Sequence, residues 1–233
     1  MITAVSDDHN IQNSPRVILG SRSPRRKELL GSIVGPDQLV IRPPVTPEEP
    51  GFLGLHQETE IEHRLLDIVQ LKHSDVCQQI AAETSNEVFT SVDSSAPFVV
   101  VADTIVVAEL NREQRAVLGQ PEPDRWQDDV REWLRHRLSN QTHEVWTGVL
   151  VSQLGQTSTC IVKSAVTFCE INDELIEWYI STRESLGKAG GYAIQGLAAA
   201  FVTQLRGSLT NVIGLPVMET RQALINLGWK GSP

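Results

Sequence analysis

Apolar residues fall into short continuous runs and longer helical stripes along most of the chain. Residues 16–20 and 98–108 are runs rich in Val, Ile and Leu, which predicts two buried strands. Between positions 58 and 82 apolar residues recur at helical spacing, which predicts a long amphipathic helix. The apolar stripe of this helix contains Ile61, Leu65, Ile68, Leu71 and Val76.

Capping and turn residues divide the rest of the chain into further elements. Ser23 followed by Pro24 is typical of a helix start, with Ser as the cap and Pro at the first helical position. Gly35 breaks that helix, and Gly155 separates two adjacent strands. The other predictions are strands at 39–41, 143–154 and 157–168, helices at 123–138, 172–179 and 217–227, a polar surface insertion at 83–97, and loops at 187–196 and 211–216.

Predicted helices and strands alternate, with no internal repeat and no Gly/Ser linker. This order predicts one mixed α/β unit with two lobes, and we assign it to residues 16–233. Residues 1–15 are polar and lack the basic and apolar regions of a signal peptide, so we expect a flexible N-terminal tail.

Charge and composition exclude several classes of protein. The chain has 29 acidic and 20 basic residues and a net charge of −9, which argues against binding a nucleic-acid polymer. Its apolar runs are far shorter than a membrane span requires. Its three cysteines show neither a Cys-x-x-Cys motif nor zinc-finger spacing, so we expect reduced thiols and a cytoplasmic protein.

One basic cluster reverses this acidic balance. Arg22, Arg25, Arg26 and Lys27 surround the predicted helix start. Cations in a first helical turn oppose the helix dipole, so a bound polyphosphate would relieve the conflict, with Ser21 and Ser23 as further donors. The alternative is a solvated surface cluster, which this segment by itself does not exclude.

Asp103 is a carboxylate inside the most apolar run of the chain, where residues 102–104 are expected to interrupt the strand. A buried Asp without a partner is unfavourable by several kcal/mol, so it should face a cleft, a metal or a hydrogen-bond network. With Glu48 or Glu49 of the proline-rich loop it could hold a divalent cation. The alternative is a turn Asp that caps a strand end.

The segment at 187–196 is rich in glycine, which permits a close approach of the backbone to a ligand. Lys188 offers a partner for a phosphate, and the amide of Gln195 can both donate to and accept from a base edge. Most glycine clusters are only turns. The chain has no Walker A loop, no H-E-x-x-H motif and no G-x-S-x-G nucleophile elbow.

Taken together, these segments resemble the Maf family of nucleotide pyrophosphatases. The likeness implies a two-lobed α/β fold of the Maf and inosine triphosphatase type, with the active site in the cleft between the lobes. It also implies homodimers and metal-dependent hydrolysis of nucleoside triphosphates to the monophosphate and pyrophosphate. The matching segments are Leu19-Gly20-Ser21-Arg22-Ser23-Pro24-Arg25-Arg26-Lys27-Glu28-Leu29-Leu30, Ala102-Asp103-Thr104, Leu118-Gly119-Gln120-Pro121, Leu138-Ser139, His143-Glu144-Val145-Trp146-Thr147-Gly148-Val149, Gly187-Lys188-Ala189-Gly190-Gly191-Tyr192-Ala193-Ile194-Gln195-Gly196, Gly207-Ser208 and Asn211-Val212-Ile213-Gly214-Leu215-Pro216.

The resemblance also implies roles for individual residues. Asp103 matches the catalytic aspartate that accepts a proton from the attacking water, and Glu48 and Lys72 match further catalytic residues. Asp103 and Glu48 would hold the divalent metal, Mg²⁺ or Mn²⁺. The substrate-binding positions are Ser21, Arg25, Arg26, Thr104, Lys188 and Gln195.

Within the family, the combination of S-P-R-R, A-D-T and I-Q-G is similar to the branch that prefers dTTP and UTP. By that likeness Arg25, Thr104 and Gln195 would set the preference for dTTP, UTP or modified pyrimidine nucleotides.

The sequence departs from the family pattern at three of its motifs. Gln120 stands where the family usually has Lys, Gly187 where many members have Asp, and His73 where a small residue is usual. The insertion at 83–97 is longer than expected. A second hypothesis is therefore a nucleotide-binding regulator of cell division with weak or no turnover, supported by Gln120. A third is an unrelated phosphate-binding α/β protein.

Overall fold

The described residues form a mixed sheet of seven strands with helices packed around it. The computed structural model describes residues 16–45, 49–83 and 96–231. The predicted tail at 1–15 and most of the predicted insertion at 83–97 lie outside these ranges. The strands are β1 (Val17–Leu19), β2 (Leu39–Ile41), β3 (Phe98–Glu109), β4 (Arg115–Leu118), β5 (Thr142–Gln153), β6 (Gln156–Phe168) and β7 (Val202–Arg206).

Strand β3 joins a parallel and an antiparallel half of this sheet. Its first residues pair in parallel with β1, which in turn pairs in parallel with β2. On its other edge β3 pairs antiparallel with β5, followed by β6 and β7. On the same edge of β3 that pairs with β1, strand β4 pairs with β3 only from Val106 onward. Among the described residues, positions 101–105 of β3 therefore have no strand partner on that edge, and the sheet has a gap there.

Helices cover both faces of the sheet. The Ser23 side chain accepts from the Arg26 N–H and caps the first helix, which Gly35 ends at φ +84°, as predicted. The helices are α1 (Pro24–Val34), α2 (Glu58–Glu83), α3 (Trp126–Trp133, continued by the π-helical residues Leu134–Leu138), α4 (Asp173–Ser181), α5 (Leu209–Ile213) and α6 (Val217–Asn226).

Separate apolar cores lie on the two sides of the gap in the sheet. Helices α1 and α6 pack on one face of β1 and the first half of β3, and α2 packs on the other face. Helices α3 and α4 pack against the distal half of β3 and against β5 and β6. The predicted α/β class and two-lobed arrangement are confirmed.

Several predicted details were wrong. Strand β3 runs through residues 102–104 without a break, because the β5 ladder pairs each of them. Leu71 is 53% exposed, and Val69 takes its place in the buried stripe of α2. The predicted loop at 211–216 begins within α5, whose cap is the Ser208 side chain. Strands β4 and β7 were not predicted, because each is short and at most half-buried along most of its length.

Helix α3 begins at Trp126 rather than at the predicted position 123. The Asp129 carboxylate accepts from the Glu122 N–H at 2.9 Å and from Arg125 at 2.8 Å, and so holds the preceding residues in a turn. In the part of the chain that the structure describes, no helix is long and apolar enough to cross a bilayer. Cys77, Cys160 and Cys169 are free thiols.

A buried histidine in the α3–α4 core ties β5 to the glycine-rich loop. His143 is 2% exposed, and its Nε2 lies 2.7 Å from the hydroxyl oxygen of Tyr192. Among the described residues, its Nδ1 has no hydrogen-bond partner. Burial lowers the pKa of His143 from 6.5 to about 3, so the ring is neutral in the folded protein.

This histidine is expected to make folding stability depend on pH between about 3 and 6.5. In that window the unfolded chain binds a proton that the folded chain does not, so stability falls as the pH drops below 6.5. Between pH 7.5 and pH 5 the loss from this group should be about 2 kcal/mol. Urea denaturation of wild type and His143→Gln at both pH values measures it. An equal loss of stability in the two proteins would show that His143 does not titrate in this way.

Candidate active site

A cavity of about 560 Å³ opens at the gap in the sheet. It lies between the loop joining β1 to α1, the middle of β3, and the glycine-rich loop at 187–196. Of the residues predicted to form a site, those that line it are Ser21, Arg25, Arg26, Lys72, Asp103, Thr104 and Gln195. Side chains alternate along β3, so Asp103 faces α2 while Thr104 faces α1. Both residues line the cavity, because it extends through the gap to both faces of the sheet.

The loop between β1 and α1 is fixed by close packing and by its own serines. A Cβ on Gly20 would lie 2.6 Å from Val101 and 2.8 Å from Val76, so only glycine fits there. The Ser21 hydroxyl accepts from the Ser23 N–H at 3.1 Å. This arrangement directs the N-terminus of α1 into the cavity, where the positive end of the helix dipole suits an anion.

Arg26 is held by protein acceptors. Its guanidinium donates to the Gly214 carbonyl at 2.8 Å, to the Thr104 hydroxyl at 2.9 Å and to Ser21 at 3.4 Å. Thr104 lies 3.0 Å from the Thr147 hydroxyl, so the network continues to β5. Burial lowers the pKa of Arg26, and the negative charge of Asp103 partly opposes that effect. Thr104 thus lines the cavity while its hydroxyl is already engaged.

Arg25 lines the same cavity without such a network. Among the described residues it has no hydrogen-bond acceptor and no carboxylate partner. Its charge contributes, after burial, to lowering the pKa of Lys188, so the two cations lie near each other. A guanidinium that has a neighbouring cation and no carboxylate partner in the described part of the chain is suited to bind an anionic ligand.

Asp103 and Glu49 converge on the Lys72 ammonium. The Lys72 Nζ lies 2.5 Å from Asp103 Oδ1 and 3.1 Å from Glu49 Oε1. Lys72 and Asp103 side chains are 12% and 16% exposed, and Glu49 at 42% reaches in from the proline-rich loop. The predicted metal ligand Glu48 lies outside the described residues, and it is Glu49 that stands beside Asp103.

The carboxylates of Asp103 and Glu49 fit a hard divalent cation. Mg²⁺ commonly takes one or two carboxylates, with the remaining positions filled by waters and substrate phosphates. Within residues 16–45, 49–83 and 96–231, no group of three or more His, Cys, Asp or Glu side chains is placed to hold a metal by itself. Waters and substrate phosphate oxygens would therefore supply most of the ligands of such a cation.

The glycine-rich loop closes the other side of the cavity. Gly190 has φ +64°, and a Cβ there would lie 2.7 Å from Val106, so the loop packs directly on β3. Gln195 lines the cavity, whereas Lys188 does not. The Lys188 ammonium instead donates to the Glu184 carbonyl. Tyr192 and the Gly214 turn also line the cavity, and nothing in the sequence marked them individually.

The three departures from the family pattern lie in different places. Gln120 and Gly187 both line the cavity, and Gly187 adopts φ +67°. His73 does not line it, because its Nε2 contacts the Ser152 hydroxyl at 2.7 Å and Cys77 Sγ at 3.3 Å. Of the three, Gln120 and Gly187 are therefore placed to affect a ligand directly.

A helix N-terminus, two arginines and a lysine thus share one cavity with two carboxylates. This combination defines an α/β protein built to hold a polyphosphate and act on it at the carboxylate end. The family model described as Maf-like protein matches residues 16–227, and the chain belongs to that family.

Curated relatives agree over nearly the whole chain. A dTTP/UTP pyrophosphatase of Anaeromyxobacter dehalogenans (strain 2CP-C) is 39% identical over 220 residues, which cover 93% of this chain and 96% of the relative. A dTTP/UTP pyrophosphatase of Syntrophus aciditrophicus is 37% identical over 215 residues, covering 91% and 90%. One of Dechloromonas aromatica is 37% identical over 217 residues, covering 92% and 98%.

Proposed function

We propose that this protein hydrolyses nucleoside triphosphates, with dTTP and UTP preferred, to the monophosphate and pyrophosphate. The observation that carries the proposal is Asp103, which lies in one cavity with Arg25, Arg26 and Lys72. A carboxylate beside several cations can accept a proton from water at a phosphorus atom whose charge those cations offset. The names of the relatives supply the substrate preference.

In the proposed reaction, water attacks the α-phosphorus and pyrophosphate leaves. Asp103 accepts the proton of the water, and Lys72 keeps that carboxylate in place through its ion pair. The N-terminus of α1 and Arg25 bind the phosphate chain, with Ser21 and Arg26 shaping the loop. Lys188 stays a proposed phosphate partner, although reaching the cavity would require it to leave the Glu184 carbonyl.

Asp103 and Glu49 are the described residues that would hold a divalent cation, Mg²⁺ or Mn²⁺, and Glu48 stays a proposed third ligand. When bound, the cation would offset charge on the phosphates and favour departure of pyrophosphate. Glu49 and Asp103 both contact Lys72, so their carboxylates already share one position for a positive charge.

A pyrophosphate-release assay tests this function. The protein with Mg²⁺ is expected to release pyrophosphate from dTTP and UTP faster than from GTP or ATP, and EDTA should abolish the release. The same rates with and without EDTA would contradict the metal requirement. No release from any nucleotide, by protein shown to bind dTTP, would contradict the enzyme.

Gln195 is proposed to recognise the base, because it lines the cavity beside the glycine-rich backbone and its amide can both donate and accept. Gln195→Ala is expected to lower the ratio of kcat/KM for UTP to that for GTP by about tenfold or more, since one amide reads the base. Steady-state kinetics with both nucleotides measures the ratio. An unchanged ratio would remove Gln195 from base recognition.

One observation favours a second candidate, a nucleotide-binding regulator of cell division with little turnover. Gln120 lines the cavity without a positive charge, and a missing cation weakens transition-state stabilisation. Binding of dTTP without release of pyrophosphate, together with a gain of release in Gln120→Lys, would support it.

A homodimer and a cytoplasmic location also stay proposals. Sedimentation velocity tests the homodimer.

A further inference from the structure

Glu184 lies between α4 and the glycine-rich loop, outside the residues that line the cavity. Its Oε2 accepts from the Leu197 N–H at 2.8 Å, and its Oε1 lies 3.4 Å from the Ala198 N–H. These two residues open a 3₁₀-helix, Leu197–Phe201. The first N–H groups of a helix have no partner inside it, so the Glu184 carboxylate satisfies them.

The same carboxylate packs against the backbone just after Gln195. A Cβ on Gly196 would lie 2.4 Å from both Glu184 carboxylate oxygens, so glycine alone leaves room for this contact. Through the Leu197 and Ala198 N–H groups, Glu184 anchors the backbone that directly follows Gly196. Gln195 lies two residues before this anchored pair.

Glu184 also contacts the beginning of the glycine-rich loop. Its carbonyl accepts from the Lys188 ammonium. The Tyr179 hydroxyl lies 3.1 Å from the Gly191 carbonyl and 3.3 Å from Glu184 Oε1. Burial, followed by the charge of Glu184, raises the pKa of Tyr179, so this hydroxyl keeps its proton. Glu184 thus contacts the chain at both ends of the glycine-rich loop.

We infer that Glu184 is a positioning residue for substrate selection, which fixes the orientation of the Gln195 amide without touching the substrate. The inference rests on the proposed function, in which Gln195 recognises the base. The loop contains four glycines, at 187, 190, 191 and 196, so its conformation depends on outside contacts. Asp103 and Arg25 have no contact with Glu184, and loss of its carboxylate should affect discrimination more than kcat.

A double-mutant cycle tests the inference. Glu184→Ala is expected to lower the ratio of kcat/KM for UTP to that for GTP by about tenfold, mainly through KM for UTP. Glu184→Gln, whose amide carbonyl can still accept one N–H, should lower it less. In a Gln195→Ala background, Glu184→Ala should change the ratio by less than about twofold, because the two residues act as one unit.

Matched variants separate positioning from a structural role. Glu177→Ala removes an exposed carboxylate of α4 that pairs with Arg131 and should leave the ratio unchanged. Gly196→Ala keeps Glu184 but displaces its carboxylate, and should lower the ratio as Glu184→Ala does. Three results would overturn the inference. Glu184→Ala could lower kcat/KM equally for UTP and GTP, or it could change their ratio equally in the wild-type and Gln195→Ala backgrounds. The third result is that Glu184→Ala, Glu184→Gln and Gly196→Ala all fail to fold.

Equilibrium binding of UTP and GTP gives a readout that does not need turnover. If the wild type releases no pyrophosphate, the proposed function fails, while the ratio of the two dissociation constants still tests Glu184. If the wild type is active and Glu184→Ala keeps the full binding preference for UTP, only the role of Glu184 fails.

Discussion

Replacing Asp103 with Asn is expected to lower kcat for dTTP by about a thousandfold or more, because the amide cannot accept a proton from the attacking water. The substitution keeps the size of the side chain, and the β5 ladder pairs this position of β3 with Gly148. The protein should therefore stay folded and still bind dTTP. Single-turnover measurement of pyrophosphate release gives the rate, and far-ultraviolet circular dichroism checks that the variant is folded.

Asp67→Asn is the matched control for this experiment. Asp67 is exposed on α2, the helix that carries Lys72, and its loss should leave kcat within about twofold of wild type. Full activity in Asp103→Asn would show that Asp103 is not the proton acceptor. A folded Asp103→Asn protein that no longer binds dTTP would give the residue a binding role instead.

Arg26→Met is expected to lower stability and Arg25→Met to weaken substrate binding, although the two residues are adjacent. Arg26→Met removes the charged hydrogen bonds to the Gly214 carbonyl and the Thr104 hydroxyl, and their loss should lower the free energy of unfolding by about 3 kcal/mol. Arg25 has no such partner within the described residues, so Arg25→Met should change stability by less than about 0.5 kcal/mol. Urea denaturation measures both values.

Activity provides the second half of this comparison. Arg25→Met should raise KM for dTTP and lower kcat/KM by about a hundredfold, since the guanidinium is free to bind phosphate. Arg26→Lys keeps a charge but loses the planar fork, so it should recover only part of the lost stability. Equal destabilisation by Arg25→Met and Arg26→Met would contradict the division of roles between them.

Much of the fold could be predicted because its signals are local. The Ser23 cap, the break at Gly35 and the hairpin turn at Gly155 depend on residues near them in sequence, and all three are observed. Strand β7 was missed because its residues are mostly exposed or half-buried and join the sheet only by pairing with β6. The exposure of Leu71 likewise depends on where α2 meets the sheet.

The candidate site could be predicted in part, for a similar reason. Arg25, Arg26, Asp103 and Gln195 lie in segments whose residue types conflict with their local structure or match a known family, and all four line the cavity. Glu184 gave no such signal, because the backbone N–H groups that its carboxylate accepts from are more than ten residues away.

The sequence by itself determined that one basic helix start, one buried strand carboxylate and one glycine-rich loop belong to a phosphate-handling protein of this family. Only the tertiary structure decided which groups are free to act there. It placed Arg26 in a protein network and left Arg25 open, and it put Glu49 beside Lys72 and Asp103. It also turned Lys188 toward the Glu184 carbonyl. The physical reason is that residue type sets charge and hydrogen-bonding capacity, whereas the partners that use this capacity come from distant segments brought together by packing.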